Sequence, residues 1–359
     1  MKKISTLSLC LTFTGCFLGA GYMSGQEIYQ FFGAFGIKGV FGLIFAVIIL
    51  FILGVILVSL VDKTKVSAID RTVVGSDNKY LLIAVGAAEV IMLFGTFFVM
   101  IAGAGSLIEQ VSGLPFSRFW GGALYTLLLC GISVRGIRGL VKVFTGAVPP
   151  LILFTVLLGA VSLVKMLPDG ISFPVSTGYN PMIPNFVVGA LAFSAYNFFC
   201  CVGVMCPVGL QIKSRRSVLL AIGGGAVCLF AVAFGVIATL AACDGASEAE
   251  IPMLYAASSF DGIFGRAFGG IYAILLMLAM IGAGLASLIP TVTYFAGHFA
   301  WVDRHTALFT LLVGALGYGL GCFGFSTLVG SVFSGFGFIS LFIIIGVVRN
   351  YIRVSKQKK

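Results

Sequence analysis

The chain has 359 residues, of which 60% are hydrophobic and only 9% charged, and it carries a net charge of +10. Soluble domains carry about 25% charged residues, so a water-soluble fold is excluded and most of this surface must face lipid. The basic residues are spread over short gaps, which excludes a nucleic-acid-binding segment, and apolar runs of about twenty residues exclude a barrel of alternating strands.

Ten spans are predicted as transmembrane helices: 6–33, 39–60, 80–108, 117–134, 140–165, 185–209, 216–242, 266–296, 305–323 and 326–349. Lys2, Lys3 and the run ending at Phe13-Thr14-Gly15-Cys16 imitate a signal peptide. The apolar stretch continues to Phe32 with no soluble domain behind it, so it is read as an uncleaved first span. Span 1 contains Gly15 and the run Gly19-Ala20-Gly21-Tyr22-Met23-Ser24-Gly25-Gln26-Glu27. Each Gly in a helix interior costs about 1 kcal/mol relative to Ala, and the polar cluster follows at once. A helix broken partway across the membrane is expected, with Gly19, Ala20, Gly21, Tyr22, Ser24 and Gly25 as candidate substrate contacts. Unwound backbone at that depth must line a cavity or be buried in protein, and the second half-helix would offer N–H groups to a substrate carboxylate. A glycine face for close helix packing is the other reading. Glu27, just past the break, would gate, bind an ammonium group or cap the half-helix.

In span 3, Glu89 lies nine residues in, about 14 Å deep. It shares a face with Gly86, Thr96 and Gly103, which points it into the bundle. A charged acid in hydrocarbon is expensive, so Glu89 is a candidate proton carrier; a hydrogen-bonded tie between helices is the alternative. Pro149-Pro150 marks a kink in span 5. In span 6, Ser194, Tyr196 and Asn197 sit near mid-membrane. Asn is costly there without a partner, and these three are further candidate substrate contacts, with interhelical bonding by Asn197 as the alternative. Spans 1 and 6 open two halves, 1–165 and 185–349, of five spans each, so the second half enters from the opposite side. Interrupted helices at matching positions of two halves point to a transporter binding site. Span 8 carries Gly282-Ala283-Gly284-Leu285-Ala286-Ser287, then Pro290, Thr291 and Thr293. Its small residues would let it approach the break in span 1, where the Ser287 hydroxyl and carbonyls near Ala283 suit Na⁺; packing explains them equally.

Gaps on the side of the termini hold 18 Lys and Arg, against four on the other side (Lys38, Arg118, Lys165 and Arg266). That asymmetry puts both termini in the cytoplasm. The outer loop 243–265 holds Asp244, Glu248, Glu250 and Asp261 without a basic residue. Seven of nine cysteines fall inside spans as small hydrophobes; Cys243 and Cys322 lie near outer ends, where a bridge is open to them. No Cys or His pair has zinc-ligand spacing, and no resident metal or cofactor is expected. His298 and His305 flank a cytoplasmic loop, which argues against an intramembrane enzyme.

With the run from Gly19 to Glu27 in view, the chain resembles the YkvI-type bacterial membrane proteins, which look like distant members of the amino acid–polyamine–organocation transporter superfamily. The family pattern has Phe and Ala where this chain has Tyr22 and Met23. The resemblance implies a bacterial inner-membrane protein with an all-α, LeuT-like fold of two inverted five-helix repeats, broken in helices 1 and 6. Substrate would lie between helices 1, 3, 6 and 8, with a Na⁺ site between helices 1 and 8. There Ala286-Ser287 supplies one hydroxyl where two adjacent ones are usual. Some relatives replace Na⁺ with a helix-5 Lys, but Lys142 and Lys165 lie at the ends of span 5. The expected function is an ion- or proton-coupled symporter for an amino acid or similar small polar solute, with Na⁺ or H⁺ coupled through Glu89, Glu27, Ser287 or Ala283. No ATP-binding motif is present, so a gradient would drive it. A transport-inactive receptor or assembly subunit that kept the fold is the alternative.

Overall fold

Long apolar segments in lipid must satisfy their backbone groups internally, which leaves helices as the outcome for continuous runs. A computed structural model describes residues 5–66, 69–76, 78–134, 140–168, 170–176, 179–210, 214–259 and 262–357. Lys2, Lys3, Arg135, Arg138, Lys213 and Asp261 lie outside the described residues. The first span is divided into α1 (Thr6–Gly15), α2 (Ala20–Ser24) and α3 (Gln26–Ile28), the last running into a π-turn over Tyr29–Gly33. Then follow α4 (Ile37–Thr64), a short α5 (Ile69–Val74), α6 (Lys79–Ser112), α7 (Ser117–Val134) and α8 (Leu140–Met166). The second half has α9 (Phe186–Gly209), α10 (Arg215–Ala241), a short α11 (Pro252–Ser258), α12 (Gly262–His298) and α13 (Ala300–Arg304). It closes with α14 (Thr306–Gly321), α15 (Phe325–Leu328), a π-turn over Val329–Phe333 and α16 (Ser334–Gln357). Among the described residues, six helices are long and apolar enough to cross a membrane on their own, and shorter apolar helices cover Thr6–Gly15, Phe186–Val202 and Thr306–Gly321.

One expectation is corrected. The sixth span is not broken: α9 runs without interruption through Phe186–Gly209. Its polar residues do not unwind it because two of them bond back to the preceding turn, Ser194 to the Ala190 carbonyl and Asn197 to the Phe193 carbonyl. Cys243 and Cys322 are free thiols, like the other seven cysteines.

Apolar faces are sorted by packing. On α4, Leu43, Ala46, Leu50, Leu53 and Leu57 are buried, while Phe41, Ile44, Phe45, Ile48 and Ile52 are exposed. Both sets recur at spacings of three and four, as two faces of one helix require. The buried face of α4 lies along α9 and α10, and α6 lies along α7 and α12. Glycines set the closest crossings. A Cβ at Gly159 of α8 would collide with the backbone of Gly235 on α10, and one at Gly189 of α9 with the Phe31 carbonyl. The two ends of the chain meet at one end of the bundle. There Thr6 shares a hydrogen bond with Ser217 (2.8 Å) and Lys63 donates to Ser355 (2.9 Å). At the same end, Asn350 of α16 donates to the Thr72 carbonyl of α5 (2.9 Å).

The far end is closed by segment 243–259. Arg118 pairs with Glu109 of α6 (3.3 Å) and with Glu250 (3.6 Å), and Glu250 accepts from the Ser326 N–H (2.9 Å). Gln110 and Ile251 exchange two hydrogen bonds, each 3.2 Å. The Gln26 amide donates to the Ala249 carbonyl (2.8 Å) and the Tyr179 hydroxyl to that of Ser247 (3.0 Å). A second layer lies beneath. Asn180 donates to Gln30 Oε1 (3.1 Å), to Ser334 Oγ (3.2 Å) and to the Gly330 carbonyl (3.3 Å), so it bridges the two π-turns. Residues 34–36 pack on segment 173–176 through the bond from the Ser176 N–H to the Ala34 carbonyl (2.8 Å).

Two outcomes are expected. Gly159→Ala should lower the thermal stability of the detergent-solubilised protein, by about 1–3 kcal/mol for an overpacked contact. Gly131→Ala, where a Cβ meets open space, should be neutral or gain up to about 1 kcal/mol of helix propensity. Arg118→Ala should cost the far-end closure about 1 kcal/mol, read as severalfold faster hydrogen exchange in Ala246–Glu248 and Pro252–Ser258. Lys65→Ala, which removes an exposed pair with Asp62 at the other end, should leave that exchange unchanged.

Candidate functional site at the break in the first helix

The chain leaves helical geometry at Cys16–Phe17 and regains it at Ala20. Gly19 stands extended at φ −82° and ψ −178°, and no side chain caps the start of α2. A second interruption falls at Gly25, whose φ of +87° is left-handed and favours glycine. A Cβ there would also come within 2.9 Å of Met253. The break therefore begins about one turn ahead of the run Gly19 to Glu27, and a second interruption falls inside that run. Other helices hold the short α2. Tyr22 donates to the Leu229 carbonyl of α10 (2.6 Å), and Tyr272 of α12 donates to the Met23 carbonyl. A Cβ on Gly19 would lie 3.9 Å from Ala283, so α12 does approach the break.

Glu27 folds back over this break. It is 3% exposed. Its Oε2 would stand 2.7 Å from a Cβ on Gly21, and the Phe333 ring 3.0 Å from the same point. Asn197 of α9 donates to Glu27 Oε1 (3.1 Å). Tyr196 faces the same carboxylate, yet its buried hydroxyl makes no hydrogen bond of proper geometry. Rings enclose the group: Tyr196 stacks on Phe333 (5.2 Å between centroids), and Phe31 and Phe193 lie 5.9 and 6.0 Å from Tyr196. The arrangement is one carboxylate, one amide and one unpartnered phenol in an apolar, aromatic shell. Chemically it can exchange a proton or receive a donor group.

The structure distributes the other expected residues. Gly19 and Gly25 lie in the two interruptions, while Ala20 and Gly21 belong to the first turn of the short α2 between them. Ser24 is used locally, donating to the Gly21 carbonyl (3.0 Å) and accepting from the Gln26 N–H (3.3 Å). Ser194 points elsewhere and shares its one O–H between the Ala190 carbonyl (2.7 Å) and the Ala46 carbonyl of α4 (3.2 Å). Glu89 is half-buried on α6 and faces Cys206, which lies about 14 Å along α9 from Asn197; it does not join the cluster. Ser287 donates to the Ala283 carbonyl (2.9 Å), so its hydrogen is committed within α12. Sequence reasoning missed Phe333, Asn180, Gln30 and Arg118. Gln30 continues the polar stripe of Gln26 at a spacing of four and was the one available signal; Asn180 sits in a connection where nothing local predicts insertion between helices.

No family model matches the chain. It is 27% identical over 225 residues to the uncharacterised membrane protein YkvI of Bacillus subtilis, a match spanning 60% of each chain. It is 23% identical to the uncharacterised protein YyaD of the same organism over 93% of this chain and 94% of that one. Among solved structures it resembles MhsT in complex with L-phenylalanine, with a TM-score of 0.61 and 17% identity over 96% of this chain and 89% of that one. It also resembles a manganese transporter of Eremococcus coleocola, with a TM-score of 0.57 and 12% identity over 94% and 75% of the two chains. The chain is thus a multi-pass helical membrane protein with the LeuT-like fold, similar in sequence to YkvI.

Proposed function

We propose that the chain is a secondary active transporter that moves a small polar solute, such as an amino acid, past the break in its first helix under an ion or proton gradient. The observation that carries this reading is Glu27, an acid buried against the short α2 between two helix interruptions and held, among the described residues, by neutral groups. Irregular backbone and an ionisable residue at membrane depth are both costly and are kept where solutes or ions pass. The fold shared with a structure holding L-phenylalanine supports an organic solute. In this reading Gly19, Ala20, Gly21 and Gly25 let the solute approach the main chain, and Tyr196, Asn197 and Glu27 recognise its polar groups. Ser24 and Tyr22 shape the break, and Ser194 holds α9 against α4. The end of the bundle bearing the termini faces the cytoplasm of a bacterial inner membrane, and segment 243–259 is the outer closure. The Ser287 hydroxyl gives its hydrogen to the Ala283 carbonyl and keeps its oxygen lone pairs, so Na⁺ beside Ala283 remains a coupling ion in this reading.

A thermal-shift screen against amino acids, with and without Na⁺, followed by uptake into vesicles, tests the proposal. A binding solute should raise the melting temperature and be accumulated under a pH or Na⁺ gradient. Gly21→Leu should abolish the shift and the uptake by filling the break, with the protein still folded. Flux of no solute under either gradient would rule out the transporter reading; binding unaltered in Gly21→Leu would move the site elsewhere.

A further inference from the structure

We propose that Glu27 is the proton carrier of this protein: its carboxyl holds a proton while both ends are closed and exchanges it with water when one end opens. The inference rests on the transporter reading for its purpose, but its structural grounds are separate.

The first ground is room. Glu27 Oε2 lies against Gly21 and beside the Phe333 ring, so closely that a Cβ on Gly21 would be 2.7 Å from the one and 3.0 Å from the other. A hard metal cation needs a shell of oxygen ligands around it. A proton needs no shell and no added volume.

The second is the polarity of the neighbours. Asn197 turns its NH₂ towards Glu27, and the same nitrogen also donates to the Phe193 carbonyl at 3.1 Å. An amide with both N–H bonds committed presents hydrogen, not oxygen, to whatever sits at Glu27. Tyr196 adds a buried hydroxyl without a partner. A phenol can donate to a carboxylate or accept from a carboxyl O–H, so this hydroxyl can serve Glu27 in both protonation states.

The third is the charge around the group. Facing Glu27 are Tyr22 of α2, and Tyr196 and Cys200 of α9. Gln26 and Gln30, on either side in the chain, are neutral. On α10, Arg215 and Arg216 occupy the first turn, about 30 Å along the helix from Val236, which packs on Gly25. The turn Val329–Phe333 and α11 carry no Lys, Arg or His. The nearer charges, Arg118, Glu109 and Glu250, pair with one another in the far-end closure. Among the described residues no cation faces Glu27, and a buried carboxylate without one is strongly disfavoured. Taking up a proton on a carboxyl oxygen removes the charge, and returning it to water restores the carboxylate, so the step balances with no other reactant.

The same geometry supplies a trigger. Gln26, in the same turn as Glu27, is bonded to Ala249 of the closing segment. Lifting that segment frees Gln26 and brings water towards the next residue.

Infrared difference spectra between about pH 5 and about pH 9, recorded on the protein in vesicles without added solute, test the proposal. The wild type should show a titrating carbonyl-stretch band of a buried protonated carboxyl. Glu27→Gln should remove it, Glu27→Asp and Tyr196→Phe should shift it, and Glu89→Gln should leave it unchanged. Replacing K⁺ with Na⁺ should have no effect. Absence of the band in the wild type, or its survival in Glu27→Gln, overturns the proposal. So does loss of the band in Na⁺, which would make Glu27 a cation site, or its loss in Glu89→Gln, which would move the carrier to α6. Should Glu27→Gln not fold, the Glu27→Asp and Tyr196→Phe shifts decide the matter. Because no solute is present, a protein without flux but with the expected band would fail the transporter reading alone.

Discussion

Backbone hydrogen bonding in hydrocarbon is the constraint on which the rest of the structure depends. Every interruption of a membrane helix frees N–H and C=O groups that lipid cannot satisfy. The break at Cys16–Gly19 and the left-handed turn at Gly25 persist because α9, α10 and α12 surround them. Tyr272 donates to the Met23 carbonyl beside the break, and Tyr22 ties the short α2 to Leu229 on α10. Tyr125 does the same work between helices, donating to the Met280 carbonyl at 2.5 Å. Phenols suit the role, because their rings bury well among apolar side chains while the hydroxyl reaches a main-chain oxygen.

The same constraint governs the far end. Two π-turns, at Tyr29–Gly33 and Val329–Phe333, lie opposite one another. Asn180 bonds across them to Gln30 and to the Gly330 carbonyl. π-turns leave carbonyls out of register with the helix ladder and recur at functional sites. The Arg118 pairs lie above this layer and are about one-third exposed, where ion pairs contribute little individually. The amide layer below is buried, and it links the first helix, segment 179–185 and the last span. The closing segment is thus bonded to the first helix directly, through Gln26 and the Ala249 carbonyl, and Gln26 in turn accepts from Gln30 (3.3 Å).

Helix continuity in the sixth span shows how polar residues are absorbed without distortion. Ser194 and Asn197 each return a bond to the carbonyl four residues earlier. Asn197 still has a second N–H for Glu27, and Ser194 still reaches the Ala46 carbonyl on α4. Polarity near mid-membrane was thus compatible with either an unwound segment or a helix bonded across to its neighbours. Only the neighbours, Glu27 in one case and α4 in the other, distinguish the two.

Much of the fold was legible in the chain because lipid imposes a simple rule: apolar runs of sufficient length become helices. The predicted span 117–134 coincides with α7, and 140–165 differs from α8 by one residue. The interruption of span 1 was legible for the same reason, since closely spaced Gly with Ser, Gln and Glu cannot sustain a lipid-facing helix. What the chain could not show was direction. On α4 every residue from Val47 to Leu53 is apolar, so no periodicity separates the lipid face from the packed one. Nor did spacing fold Glu27 back over Gly21 across the left-handed Gly25, or place Asn197 beside Glu27 and Asn180 beside Gln30, which lie 170 and 150 positions apart. Local sequence determined where helices form and where one fails; tertiary packing alone decided which polar groups that failure brings together, because their partners come from other helices.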